Sequence, residues 1–324
     1  FMGGGGGPAG WGGAIAVVPY EMYKIYGDKE TFRRYLPKIL RYFDYLDSRS
    51  SGGLVCREEE GGWCLGDWCP PKQITICEPF VNTALYVKQM MMTKEASEAI
   101  GESETAAMLE KRIEEKKQAI LNAYYSPQTG SFIGDAQGAN SFAIDIGLGG
   151  ERAFNNTKKK YDAADSFDTG IFGTDILTRV LFERGCADTA FHLLTSTGKG
   201  SFYNMKKQGA TTIWENWDGE RSHSHPMFGA VTRYLFSFIL GITQEKNSAG
   251  YEKIVIAPQI PDGLNRASGH ITTVRGEIAV SFVRTEREMD FYVTVPQKAW
   301  FTYGSDCEYE LWEGENHIHI DFEE

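Results

Sequence analysis

The sequence has little of what nucleic-acid-binding and membrane proteins require. Among 324 residues the acidic side chains outnumber the basic ones by 44 to 33, which gives a formal net charge of −11. This balance argues against binding to a phosphate backbone, because such binding needs clustered Lys and Arg. No apolar run reaches the roughly 20 residues of a membrane span, and no signal peptide is visible at the start of the sequence.

The cysteines form no metal-binding or redox motif. They lie at positions 56, 64, 69, 77, 186 and 307. No pair has the CxxC spacing, and no His follows at the distance of a zinc ligand. Four of the six cluster between positions 56 and 77, so a disulfide there stays open. Reduced, partly buried thiols are the simpler interpretation.

The overall composition is that of a globular protein. Apolar residues make up 42% of the chain, which is enough to bury a substantial core, and the length accommodates one large and one small domain. The opening glycine run, from Phe1 to Ala9, resembles a linker or a cut more than the start of a domain.

Helical periodicity dominates the sequence up to about residue 245. In residues 30–47 the apolar side chains Phe32, Leu36, Ile39 and Phe43 recur at intervals of three and four, which predicts an amphipathic helix. Residues 103–124 show the same pattern. Further helices are predicted over 12–26, 80–94, 140–147, 152–163, 171–183, 187–195 and 227–241, with loops at 49–73, 127–139 and 197–225. Repeated helix–loop–helix units favour helical hairpins packed in a ring or a stack.

Strand patterns replace the helical periodicity after about Gly250. Five segments alternate or run apolar with β-branched residues, at 254–257, 269–274, 277–283, 290–295 and 317–322. Turn residues separate them at short intervals, which predicts a small antiparallel β-sandwich. We therefore expect a helical domain over 1–245 and a β-sandwich over 246–324. His317 and His319 share one strand face, and we interpret them as exposed strand residues rather than metal ligands.

The most informative segment runs from Gly209 to Gly219, where Glu215 lies between Trp214 and Trp217 in a polar loop. The apolar face of a pyranose stacks on indole rings, while acids and imidazoles bind its hydroxyl groups. A carboxylate among such rings is also where a hydrolase places its acid or base. An acidic residue beside two half-buried core tryptophans is the alternative interpretation, and the nearby His223 and His225 favour the first one.

The same segment resembles the end of the catalytic domain of bacterial α-L-rhamnosidases, glycoside hydrolase family 78. The matching residues are Gly-Ala-Thr-Thr-Ile-Trp-Glu, Trp-Asp-Gly and Ser-x-x-His-x-x-Phe-Gly-Ala-Val. Four more motifs follow the family's order: Trp11 to Ala14 with Val18-Pro-Tyr20, Gly66-Asp-Trp68, Thr169 to Thr174, and the strands after Ile256. The resemblance implies a mainly α fold, an (α/α)6 barrel lacking its first helices, followed by a small antiparallel β-sandwich.

The resemblance also implies roles for single residues. Glu215 matches the general base, and its alternative role is to cap a helix or pair with Arg221. His225 matches a sugar-binding histidine, while helix capping or stacking is the rival interpretation. Trp11 and Trp68 match tryptophans that wall the rhamnose pocket, against a packing role for each indole.

Three further residues of the implied substrate site have alternative roles. Asp67 either binds substrate or braces its own turn. Trp214 and Trp217 flank Glu215, and we expect one of them to support the base by packing. For Asp168, just before a predicted helix, N-capping is the simplest explanation.

Two departures from the family pattern stand out. The family's general acid is a Glu in a segment upstream of Trp11, and the sequence contains no such segment. The chain is then a fragment, needs a second chain, or is an inactive remnant; we favour the fragment. Asn216 stands where the family usually has Arg, which weakens inferences about aglycone contacts.

The sequence thus predicts an inverting glycoside hydrolase that releases terminal α-L-rhamnose, with Glu215 as base. A catalytically inactive sugar-binding remnant and a related helical-barrel glycosidase for another sugar are the alternatives. No cofactor or metal is implied, since two carboxylates and water suffice for inversion. The expected partners are a carbohydrate substrate and the missing part of the barrel, with a homo-oligomer left open. The compartment, cytoplasmic or periplasmic or extracellular in a bacterium, is unknown.

Overall fold

The computed structural model describes residues 9–56, 66–305 and 307–322. The glycine run at 1–8 and Cys64, on which two expectations rest, lie outside this range. The chain divides into two compact units. The first comprises Phe1–Tyr20, Lys29–Val180 and His192–Ala230, and the second comprises Glu21–Asp28, Leu181–Phe191 and Val231–Glu324.

Nine regular α-helices precede residue 226 in the described part of the chain. They are α1 (Ala14–Tyr26), α2 (Lys29–Ser48), α3 (Glu78–Ala99), α4 (Ser103–Tyr124), α5 (Ala139–Asp145), α6 (Gly150–Asp162), α7 (Ile171–Glu183), α8 (Ala187–Thr195) and α9 (Phe202–Lys207). Short two-stranded ladders lie between some of them, formed by β1 (Ser50–Ser51) with β2 (Leu54–Val55) and by β3 (Tyr125–Ser126) with β4 (Ser131–Phe132).

Most of the predicted helices are confirmed. They could be predicted because the apolar periodicity of a helix is a local pattern in the sequence. In α2 the buried side chains include Phe32, Leu36, Ile39 and Phe43, which are the residues at the predicted spacing. The bounds of α7 and α8 agree with the predicted ranges to the residue. Apolar side chains at intervals of three and four therefore identify the buried face of these helices.

Two helical expectations are wrong. A regular helix was expected over 227–241, but the chain forms a 3₁₀ segment (Pro226–Val231), three α-helical residues (Thr232–Tyr234) and a π-helical turn (Leu235–Ile239). The expected loop at 197–225 contains α9, whose N-cap Ser201 accepts a hydrogen bond from the Asn204 amide at 3.0 Å. A capping serine stabilises even a short helix.

A buried cluster of one carboxylate and two cations joins three helices of the first unit. Asp145 on α5 is 3% exposed and contacts Lys88 on α3 at 2.8 Å and Arg179 on α7 at 2.7 Å. Burial alone would raise the pKa of Asp145, but Arg179 and Lys88 together hold it below its usual range. Because both cations contact the same carboxylate, the three helices are held next to one another. Loss of either cation would leave the buried charge of Asp145 less compensated and would destabilise the fold.

The described residues of the second unit form eight strands in two sheets. They are β5 (Ile242–Gln244), β6 (Ile254–Ile256), β7 (Arg266–Thr273), β8 (Gly276–Arg284), β9 (Glu288–Val295), β10 (Ala299–Tyr303), β11 (Cys307–Leu311) and β12 (Gly314–Asp321). The orders are β11-β10-β6-β5 and β12-β9-β8-β7. Phe291 of one sheet packs on Phe301 of the other with centroids 4.9 Å apart, so the two inner faces share a core.

The β-sandwich confirms the predicted architecture and departs from it in detail. Neighbouring strands are antiparallel except β6 and β10, which pair in parallel. Strands β5, β10 and β11 were not predicted. Trp300 on β10 and Tyr309 on β11 are 45% and 43% exposed, so these two strands do not follow a simple alternation of apolar and polar residues. The five described cysteines, Cys56, Cys69, Cys77, Cys186 and Cys307, are free thiols.

Candidate active site

Glu215 lies on a loop that folds back on itself. Its amide donates to the carbonyl of Ser222 at 2.8 Å. Gly219 turns the chain between them with φ +77°, and a Cβ there would lie 2.5 Å from the Trp214 ring. Glycine is therefore required at this turn for both its backbone angle and its close approach to the indole.

Two donors hold the Glu215 carboxylate. Trp68 Nε1 donates to Oε1 at 3.0 Å, and the Ser222 amide donates to Oε2 at 3.4 Å. The hydrogen bond from Trp68 is the main reason that the pKa of Glu215 lies below its usual value, and the Ser222 amide, His225 and Arg221 lower it further against the effect of burial. The carboxylate is consequently ionised at neutral pH, the form that accepts a proton.

The loop that carries Trp68 is tied to the loop of Glu215. The Arg221 guanidinium lies over the Trp68 ring, 4.8 Å from its centroid, a cation–π contact. The thiol of Cys69 donates to Asn216 Oδ1 at 3.2 Å. Burial raises the pKa of Cys69 to about 12, so this thiol stays protonated and acts as a donor.

Asp67 braces the start of α7. Its side chain is fully buried and accepts three backbone amides, from Gly170 at 2.7 Å and from Phe172 and Gly173 at 3.0 Å each. Burial raises the pKa of Asp67 to about 7 although all three amides act in the opposite direction. A carboxylate from a distant loop thus caps this helix.

Asp168 does not take the capping role that its position favoured. Its carboxylate instead accepts from the Tyr161 hydroxyl at 2.6 Å and pairs with Lys160 at 2.8 Å. The buried Asp67 lies 103 residues from Gly170 along the chain, so local spacing could not reveal it as the cap.

Trp11, Phe172 and His225 form an aromatic cluster in the same unit. The Trp11 ring lies 5.4 Å from Phe172 and 6.4 Å from His225 between centroids, the second contact being edge-on. All three side chains are half-buried. Nδ1 of His225 is buried and has no hydrogen-bond partner within the described part of the chain. A buried polar atom of this kind needs a partner, which a ligand hydroxyl would supply.

Trp217 is enclosed by other side chains. It is 2% exposed, lies 4.1 Å from Phe228 and 5.8 Å from Phe167 between ring centroids, and donates its Nε1–H to the Thr169 carbonyl at 3.1 Å. The ring and the polar atom of this indole are therefore both engaged within the protein.

Trp214 is similarly covered. It is 6% exposed and stacks on His223 at 4.4 Å between centroids. His223 is exposed, and its Nε2 lies 2.8 Å from the Gly219 carbonyl. The loop thus holds its own tryptophan and histidine together around Glu215.

The structure brings together two pairs among the seven predicted site residues: Glu215 with Trp68, and Trp11 with His225. His225 also contributes to the lowered pKa of Glu215, which links the two pairs. Sequence reasoning missed Phe172 and Ser222. Phe172 lies in the Thr169–Thr174 motif, so its place in that motif was the available signal, whereas Ser222 contributes its backbone and carries no sequence signal.

A helical region whose loops carry a carboxylate, indoles and an imidazole, followed by a β-domain, is consistent with the class of six-hairpin glycosidases, and the family comparison places the chain there. Residues 2–239 match the bacterial alpha-L-rhamnosidase 6-hairpin glycosidase domain, and residues 241–301 match the bacterial alpha-L-rhamnosidase C-terminal domain. The chain belongs to this family of glycoside hydrolases.

Curated relatives of the chain are alpha-L-rhamnosidases. The alpha-L-rhamnosidase of Alteromonas sp. (strain LOR) is 26% identical over 314 residues, an alignment that covers 89% of this chain and 33% of the relative. That of Streptomyces avermitilis is 28% identical over 291 residues, covering 85% of this chain and 26% of the relative. The chain therefore spans about a third or less of the length of these relatives.

Solved structures show the same fold. The Streptomyces avermitilis alpha-L-rhamnosidase complexed with L-rhamnose superposes with a TM-score of 0.84 at 22% identity, covering 96% of this chain and 33% of that one. The alpha-L-rhamnosidase from Dictyoglumus thermophilum gives a TM-score of 0.86 at 18% identity, with 98% and 40% coverage. Among the described residues no helix is long and apolar enough to span a bilayer.

Proposed function

We propose that the protein carrying this chain hydrolyses terminal α-L-rhamnosides with inversion at the anomeric carbon. The observation that carries the proposal is the ionised Glu215 carboxylate, held at 3.0 Å by the indole of Trp68 in an aromatic loop. The family to which the chain belongs supports the choice of sugar. The Streptomyces avermitilis relative was solved in complex with L-rhamnose, which makes an α-L-rhamnoside the first substrate to test.

Glu215 acts in this proposal as the general base. One oxygen is fixed by Trp68 and the other faces the Ser222 amide at the longer distance of 3.4 Å, so the second oxygen is the freer one to take a proton from water. The activated water then attacks the anomeric carbon from the face opposite the leaving group. A second carboxylic acid protonates the leaving oxygen, and we assign that role to a residue outside this chain.

The surrounding side chains divide into sugar-binding and supporting groups. Trp11 and Trp68 supply apolar rings for the pyranose face. The buried Nδ1 of His225 forms a hydrogen bond with a sugar hydroxyl group, as donor or as acceptor according to the tautomer of the ring. We assign Asp67 to bracing α7, because its oxygens are occupied by three amides. Trp214 and Trp217 support the loop, since both are buried against protein.

A panel of 4-nitrophenyl glycosides tests the proposal on the longest natural form of the protein. We expect release of nitrophenol from the α-L-rhamnoside and much less from α-D-glucoside, α-D-mannoside and α-L-arabinoside. Proton NMR of the first sugar released should show the β-anomer. Turnover of another glycoside instead, an α-anomeric first product, or calorimetric rhamnose binding without turnover would each contradict the proposal.

Replacement of Trp68 by Phe tests how the base is kept ionised. The change keeps an aromatic ring but removes the Nε1–H that donates to Glu215. Because this hydrogen bond lowers the pKa of Glu215, we expect the acidic limb of the kcat/KM profile to move to higher pH. Trp312→Phe, at an exposed indole of the β-domain, is the matched control. An unmoved acidic limb in Trp68→Phe would contradict this role.

A further inference from the structure

The outer face of the sheet β12-β9-β8-β7 carries a cluster of imidazoles and carboxylates that the proposed hydrolysis does not use. Strands β9 and β12 are antiparallel, with Glu288 opposite Asp321 and Asp290 opposite His319. Their side chains alternate between the two faces, so these four residues and His317 lie on one face, away from the core. We call these five residues the histidine–carboxylate cluster.

The contacts within this cluster are close. His317 Nε2 lies 2.7 Å and His319 Nδ1 lies 2.9 Å from the same oxygen of Asp290, and His319 Nε2 lies 3.2 Å from Asp321 Oδ1. One ligating atom each from Glu288, His319 and Asp321 all lie within 4.8 Å of one another. Ligands of a tetrahedral zinc ion at about 2.0–2.1 Å lie roughly 3.3 Å apart, so small side-chain rotations bring these three atoms onto one ion.

The hydrogen bond to Asp290 orients the ring for metal binding. When His319 Nδ1–H donates to Asp290, the Nε2 atom of the neutral ring presents its lone pair. That lone pair faces the oxygens of Asp321 and Glu288, which are also acceptors. In this tautomer the three acceptors are satisfied either by a proton on Nε2, which then donates to Asp321, or by a bound cation that takes the place of that proton. A carboxylate that holds the second nitrogen of a ligating histidine is the usual support of such a site.

The donor set selects the class of metal. Ca²⁺ and Mg²⁺ prefer oxygen ligands throughout, whereas an imidazole with carboxylates suits Zn²⁺ and neighbouring divalent transition ions. We propose that His319, Asp321 and Glu288 bind one Zn²⁺-class ion, with Asp290 as the supporting carboxylate. The ion would connect the C-terminal strand β12 to β9 and stabilise the sheet, because an ion that binds the folded state alone favours that state.

The register of the strands accounts for the difference from the sequence-based interpretation. The sequence predicts His317 and His319 to be exposed strand residues, and both are exposed on β12. The antiparallel pairing brings Glu288 and Asp290 from β9 to the same place, and Asp321 follows His319 by two residues on the same strand face.

Zinc binding to the whole chain tests the proposal by isothermal titration with ZnCl₂. We expect the wild type to bind about one more Zn²⁺ ion per chain than His319→Ala, and zinc to raise the melting temperature of the wild type but not of His319→Ala. His270→Ala is the matched control, since His270 is an exposed histidine on the same sheet outside the cluster. It should bind zinc as the wild type does.

A second variant and a second ion complete the test. Asp321→Asn should weaken zinc binding at least tenfold, and CaCl₂ should not replace ZnCl₂. Cobalt bound to the wild type should give the visible absorption of a low-symmetry, four-coordinate ion, which His319→Ala should lack. Three results would overturn the proposal: equal zinc binding by wild type and His319→Ala, no zinc binding by the wild type, or equal stabilisation by CaCl₂. The cluster would then be a set of hydrogen bonds between strands without a metal.

Discussion

Replacing Glu215 by Gln is expected to lower kcat for an aryl α-L-rhamnoside by roughly 10²–10⁴, the usual contribution of a general base. The amide keeps an oxygen that accepts from Trp68 Nε1 but cannot take a proton from water. The loop should therefore keep its conformation while the reaction loses its base. The measurement is the initial rate in the longest natural form of the protein, together with the melting temperature.

The controls separate a chemical role from a structural one. Glu220→Gln changes an exposed acid five residues further along the same loop and should retain wild-type activity. In Glu215→Ala, sodium azide should restore release of nitrophenolate by attacking the anomeric carbon in place of water, with formation of a rhamnosyl azide. An unchanged rate in Glu215→Gln, or equal losses in both glutamate variants, would remove Glu215 from the mechanism.

The helices were predictable wherever the signal was local. Residues 103–124 were expected to be helical, and they form α4 over Ser103–Tyr124. The prediction was possible because a helix that buries one face has apolar residues at intervals of three and four. The 226–239 segment has equally apolar residues, yet it is divided among 3₁₀, α and π turns. Apolar spacing identifies a buried segment, but it does not distinguish these hydrogen-bonding patterns.

The residues of the candidate site were predictable, but the contacts between them were not. The motif around Glu215 identified the carboxylate, while its hydrogen bond to Trp68 joins residues 147 positions apart. The role of Asp67 stayed open for the same reason, since its three amides belong to a distant helix. Sequence reveals chemical types and local spacing. The pairing of distant groups depends on packing that local patterns do not encode.

Replacing Asp67 by Ala is expected to lower the stability of the fold rather than to affect the chemical reaction directly. Asp67→Ala would leave three amides at the start of α7 without their acceptor. Since an unsatisfied buried donor costs about 1–3 kcal/mol, we expect the free energy of unfolding at pH 5 to fall by about 3 kcal/mol or more. Urea unfolding followed by tryptophan fluorescence measures this loss. Asp168→Ala, which removes a half-exposed carboxylate from Tyr161 and Lys160, should cost about 1 kcal/mol.

The dependence on pH identifies the buried carboxyl group as the cause. The pKa of Asp67 rises from 3.8 to about 7 because of burial, so the folded chain keeps a proton that the unfolded chain loses. Wild-type stability from this group therefore falls as the pH rises from about 4 to about 7, and Asp67→Ala lacks that fall. The gap between wild type and Asp67→Ala should be larger at pH 5 than at pH 8. A gap that is equal at both pH values, or a larger loss in Asp168→Ala, would show that Asp67 does not brace the helix as described.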